Sequence, residues 1–529
     1  GTWRLTSTSS SYTGATSISD GVLEVVKLAD GGQASSIGAS SADANRLGIG
    51  TNARLRYVGT GDSTNRLFTL STGTTLIESS GTGAINFTNS GGLMGFSGTG
   101  ARTFTLGGTY TGDNIMGVTI RDQSASAQTS LAKNDAGTWI LTADNTYTGN
   151  TVINDGKLII GNGGMSGNVG TGQVILAFDT GTLGFNRSDT FNFAGQISGP
   201  GIIEQMGEGT TVLTATNSAG TTTISEGALQ IDGDLTTDTI TFNDDEATTL
   251  IVNGAVHGNG VAAVIAGDGS SNIININAGG TLAATGDLGD GTDIIDVLGT
   301  LDTGASTLSL GAGDDIFTLN DGATISGPVD AGSAVTGDTL RVNNALAGTF
   351  DGTGFSDFEL LTKQNTGVLT LTGTQTFSLG TNVTAGTLDV DGTLNTGAIT
   401  LFDNTTLNVD GTIDASSPLT GSAGTNTVLV SSGATLSTNG GDLGDGNDVI
   451  TVAGTLDTGA GTLNLGAGDD TVTLNDGALL SGTGLNAGAG TNDELVLHNA
   501  SALTFDGGMT AGFEQLVKQN TGTATMTGT

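Results

Sequence analysis

One phrase recurs along this chain, and its recurrence limits the possible folds more than any other feature. Its fullest form, GTWILTADNTYTGNTVINDGKLIIG, runs from Gly137 to Gly161. It holds three short apolar segments, Trp139–Thr142, Thr151–Ile153 and Lys157–Ile160, separated by Thr, Asn, Asp and Gly. Each segment alternates or is β-branched, and so predicts a strand of a few residues. The gaps carry turn chemistry, because Asn145 and the Asp155-Gly156 pair tolerate tight or left-handed backbone. A strand this short cannot bury a face alone and needs like neighbours stacked on it. Such neighbours begin at Gly1, Gly209, Gly367 and Gly522.

Similar runs announce the copies: LAKNDAG at Leu131, IEQMGEG at Ile203, LTKQNTG at Leu361 and LVKQNTG at Leu516. A longer duplication covers the second half. The 36 residues starting at Leu288 match those starting at Leu443, 155 residues further on, at 28 positions. Within each copy a shorter period shows, since GDG at Gly267, GDG at Gly289 and GAG at Gly311 start 22 residues apart. Each such turn leads into an alternating strand. A coil of about 22 residues with three short strands is the arithmetic of an all-β, right-handed parallel β-helix, a β-solenoid. At about 4.8 Å per coil, roughly 24 coils would measure on the order of 115 Å. Val, Ile, Leu and Ala should form inward ladders, and Thr, Ser, Asn and Asp outward ones.

Composition agrees. A chain of 529 residues is too long for one compact core unless it is a solenoid. Gly is 91 of 529, but 36% apolar content with strand patterning argues against disorder, and no Gly-X-Y period is present. The net charge of −38 argues against nucleic acid and anionic lipid as partners. Cys is absent, so no disulfide or thiolate metal site exists. The longest apolar run, Val261–Ala266, is far shorter than the roughly 20 residues of a membrane helix.

The expected order is an N-terminal segment at 1–136, a second repeat segment at 137–206, two copies of the Asp/Gly-rich unit at 207–363 and 364–520, and the start of a further repeat at 521–529. All are parts of one continuous solenoid, and the chain reads as a fragment of something longer. In the first segment, strands are expected at Ala53–Val58, Leu67–Leu70, Thr75–Ile77, Ala84–Phe87 and Thr103–Leu106, with Ser35–Asn45 as a loop or one irregular turn protruding from the stack. Most arginines lie here (Arg46, Arg54, Arg56, Arg66, Arg102, Arg121) and are expected on the outer face. Phe185, Phe191 and Phe193 are expected to stack internally.

The Gly-x-Gly-x-Asp turns are the candidate chemistry. LGDGTDIID, LGAGDDIFT and their copies at Leu443 and Leu465 resemble the calcium turns of RTX proteins. That resemblance implies calcium as the ion, held by Asp290, Asp293, Asp314 and Asp315, and by Asp445, Asp448, Asp469 and Asp470. The departures are a Leu in place of the first Gly and a 22-residue spacing where nine is usual. A plain structural role is the rival, because Gly-Asp suits tight corners. Only His257 and His498 exist, in non-equivalent positions, which argues against a Ser-His-Asp triad.

The phrase at Gly137, its lead-in and its copies resemble the passenger-associated repeat of bacterial autotransporters. The resemblance implies a β-helical passenger, secreted or exposed on a Gram-negative surface, with a C-terminal outer-membrane barrel elsewhere in the same precursor. It further implies a non-enzymatic adhesin whose partner is a host matrix protein, a glycan, or itself on a neighbouring cell. The alternatives are a spacer presenting another domain and a glycan-active β-helix enzyme.

Overall fold

The computed structural model describes residues 1–529 except 244–246, 335 and 529. Among the described residues the regular structure is strand, apart from two short 3-10 turns, Ala44–Arg46 and Gly507–Met509. Among the described residues no helix is long and apolar enough to cross a membrane. The chain divides into two compact units, one of Gly1–Asn275 with Gly279–Gly286, the other of Ile276–Ala278 with Asp287–Thr529. The division falls inside the first copy of the long duplication.

Both units are parallel β-solenoids, as the repeat arithmetic predicts. In the first, Thr2–Leu5, Val22–Val25, Arg54–Tyr57, Gly73–Ser79, Arg102–Gly107, Thr129–Lys133, Thr151–Ile153, Val174–Leu176 and Ile197–Ser198 stack in sequence order as one sheet. The opening phrase supplies one strand to this sheet, Thr151–Ile153, and two to the next, Thr138–Leu141 and Gly156–Gly164. Trp139 registers on Leu158 and Ile140 on Ile159, parallel and without offset. Strands also form where the first segment predicts them, including Arg54–Tyr57, Gly83–Phe87 and Arg102–Gly107.

The second unit shows why such short strands persist. Leu388, Leu407, Val428, Ile450, Val472 and Leu495 occupy successive rungs of one column. All six are buried. On the first five rungs the residues on either side are only half-buried, so alternation along the strand becomes a ladder across the coils, and at Leu495 the following Val496 is buried too. Burial of each such side chain is worth about 1.5–3 kcal/mol, and like neighbours above and below supply it. The coil length is not constant: matched positions lie 19 residues apart at Asp389 and Asn408 but 23 apart at Asp470 and Asp493.

One coil is expanded. Arg56 reaches Glu24 across 32 residues because the segment containing Ser35–Asn45 intervenes. The first half of that segment does not protrude, contrary to expectation, whereas Ser41, Asp43 and Asn45 are exposed. Ser35, Ser36, Ile37 and Ser40 are buried. The cause is Arg66, itself 1% exposed, which donates to the carbonyls of Ala29 (2.9 Å), Ser40 (2.9 Å) and Gly38 (3.1 Å). Arg102 is buried as well, so the outer-face expectation fails for these two arginines. The phenylalanine cluster forms as expected, with Phe185 and Phe193 centroids 5.4 Å apart.

Candidate functional site: the acid ladders and the repeat clamps

The eight aspartates of the Gly-Asp turns fall into three environments. Asp290 and Asp445 are exposed and bridge through their main chain to Ala312 and Ala467. Asp314 and Asp469 cap the next coil. Asp314 accepts from the Thr336 N–H at 2.6 Å, and Asp469 accepts from the Thr491 and Asn492 N–H groups at 3.3 and 3.2 Å. These bonds, the one from the Asn492 side chain foremost, hold the Asp469 carboxyl below its usual range.

Asp293, Asp315, Asp448 and Asp470 point inward and are no more than 1% exposed. The Asp315 Oδ1 accepts the main-chain N–H of Asp293 at 2.7 Å, and the Asp470 Oδ1 accepts that of Asp448 at 2.7 Å. The pattern continues past the residues singled out by sequence. Asp338 accepts from Asp315 N–H and Asp493 from Asp470 N–H, at 2.7 and 2.8 Å. Glu359 and Glu514 then close the two ladders by accepting from Asp338 and Asp493, at 2.9 and 3.0 Å. The signal for these four residues is present in the sequence as one more Asp and one Glu per copy, each pair again 155 residues apart.

Each ladder carboxyl therefore spends one oxygen on the backbone of the coil before it. The second oxygen of Asp315, Asp338, Asp448, Asp470 and Asp493 is buried without a partner. A buried carboxylate oxygen without a donor strongly favours the protonated form. Burial, reinforced by neighbouring acids, raises Asp315, Asp338 and Asp470 to about 6 and Asp448 to about 7. The only group of three acids among the described residues whose oxygens lie within 4.8 Å of one another uses none of the eight. It is Asp389, Asp391 and Asp410, with Asn408 donating to Asp389 at 2.6 Å.

The lead-in runs hold a second device. Lys133 is fully buried, and its Nζ donates to the carbonyls of Asn134 (2.9 Å), Asp135 (2.6 Å) and Asp155 (2.8 Å), the last one coil on. Lys363 repeats this on Gln364 (2.8 Å), Asn365 (2.6 Å) and Ala385 (3.1 Å). The carbonyls converge because Asp135 and Asn365 adopt φ of 60° and 61°. Burial lowers both lysines to about 8. In the IEQMGEG run, Gln205 stands in, donating to Gly207 and Gly209 at 2.6 and 3.1 Å.

These clamps lie within the segments that match a known family, described as Passenger-associated-transport-repeat, at residues 1–25, 131–160, 203–231 and 361–390. Over these four segments the chain is similar to autotransporter passenger domains. Over 179 residues it is 53% identical to a Brucella suis biovar 1 (strain 1330) protein named Adhesin BmaC autotransporter. That match takes in 34% of this chain and 5% of the relative's length. No solved structure matches the chain.

Proposed function

We propose that this chain is the adhesive part of an autotransporter passenger and acts in cell–host or cell–cell contact, without catalysing a reaction. The observation that carries this reading is its 53% identity over 179 residues to a protein named as an adhesin. The physical argument is consistent with it. Regular stacking repeats the same polar groups on rung after rung, and weak contacts repeated on a rigid flank sum through multivalency. The partner is a host matrix protein, a glycan, or a second copy of the chain on a neighbouring cell. A C-terminal outer-membrane barrel of the same precursor would carry the passenger to the surface.

The test is adhesion by beads coated with the chain. Retention on host-cell monolayers or matrix-coated wells, or clumping of the beads themselves, supports the reading. Beads that neither clump nor adhere would instead leave the chain as a spacer for another domain.

A further inference from the structure

We propose that a groove on the flank of the second unit binds an extended, neutral glycan. This rests on the adhesive reading and names the ligand class for it. The groove is shallow and open, with a volume of about 690 Å³, and runs across successive coils. One wall is a column of side chains in register, Thr420 on Asp442, Asp442 on Asn464 and Asn464 on Asn486. Asp445 and Ala467 also line it.

The groove exists because its floor cannot carry side chains. Gly444, Gly466 and Gly488 stand on successive coils with φ of 92°, 113° and 100°. A Cβ on Gly466 would collide with the carbonyl of Gly444, and one on Gly488 with that of Gly466. Tight stacking thus enforces a bare strip beside a wall of amides and carboxylates.

The wall determines what fits. The strands that carry it pair on both sides, Leu463–Gly466 with Gly441–Asp442 and with Leu485–Gly488. Their backbone groups are already used, so an incoming peptide strand finds no open edge. Recognition falls to the side chains. The Asn486 amide donates to Asn464 at 3.1 Å, which leaves an Asn464 donor and an Asn486 acceptor facing the groove beside the Asp442 carboxylate. Alternating donors and acceptors suit hydroxyl pairs on a sugar ring. The lining contains Asp442 and Asp445 and no basic residue, which disfavours sialylated or sulfated chains. The rung spacing of about 4.8 Å is close to the length of one pyranose ring. At the matching places the first copy has Ser309 and Asp330, also in register, so the amide pair belongs to the second copy alone.

The experiment prints neutral oligosaccharides of glucose, galactose, mannose and N-acetylglucosamine beside sialylated and sulfated ones, and probes them with the full chain. Two double variants are compared: Asn464→Ala with Asn486→Ala, and Asn464→Ser with Asn486→Asp. The second pair installs side chains that already stack in the first copy, so it keeps the test valid if the alanine pair melts early. Retention of a neutral oligomer, weakened about tenfold or more in both variants, is expected. Unchanged binding in the variants, or preference for acidic sugars, overturns the assignment. Absence of glycan binding from a chain whose beads still adhere to cells overturns the groove and leaves the adhesive reading standing. Beads that adhere to nothing remove both.

Discussion

The Asp470 carboxyl lies 2.7 Å from the main-chain nitrogen of Asp448, one coil earlier, and accepts its hydrogen. Its other oxygen is buried without a donor. Ionisation therefore costs the folded state more than the unfolded chain. The ladder acids sit at about 6 to 7 when folded, against 3.8 for an ordinary aspartate. Their contribution to stability is complete below the unfolded value and is lost as pH rises through the folded values. Thermal melting followed by circular dichroism should thus give a higher Tm at about pH 5 than at about pH 8. Asp470→Asn keeps the acceptor and removes the titrating proton, and should flatten that dependence.

The lysine clamps predict a graded series. Lys363→Met removes the donor that three part-buried carbonyls share and should cost about 2–3 kcal/mol. Lys363→Gln should cost less, because Gln205 already satisfies two carbonyls in the third repeat. Urea titration of the full chain reads both, and equal losses would refute the clamp.

Two glycines with left-handed backbone separate steric from conformational cost. At Gly433, φ is 88° and nothing stands within 4 Å of an added Cβ, so Gly433→Ala should cost about 1 kcal/mol from backbone strain. At Gly466 the carbonyl of Gly444 occupies that place, and Gly466→Ala should cost about 3 kcal/mol or more. The comparison is made by denaturant midpoint.

Arg66→Ala should release the expanded coil. The buried Ser40 hydroxyl and the Gly38 carbonyl lose the guanidinium, and the Ser40 carbonyl keeps only the Gly32 N–H. Limited proteolysis should then cut between Ser35 and Asn45, whereas the parent chain resists there.

Much of this architecture is legible in the residues because period and fold share a cause. A 22-residue spacing with strand-length apolar runs has few physical solutions, and the columns through Leu388 and Ile450 are the expected one. The acids are harder to read. Gly-x-Gly-x-Asp suggests acids gathered around an ion, yet Asp315 and Asp470 turn inward to backbone donors, which composition does not encode. The Ser35–Asn45 segment misleads for a similar reason, because polar residues signal exposure unless a distant side chain such as Arg66 satisfies them. The groove is hidden inside the same Gly-x-Gly turns, because the motif at Leu443 and Leu465 marks Gly444 and Gly466 as corners and says nothing of the bare strip that they make when stacked.

Each inward acid serves a donor belonging to the preceding turn of the spiral, across 22, 23 and then 21 residues in both copies, so a corner can gain or lose a residue while the next acid still meets its donor. Removal or addition of a whole 155-residue block restores every match, with Glu359 or Glu514 closing the run in either case. A lineage carrying this chain can therefore lengthen it by whole blocks without redesigning a single rung, and adjust individual corners by a residue or two.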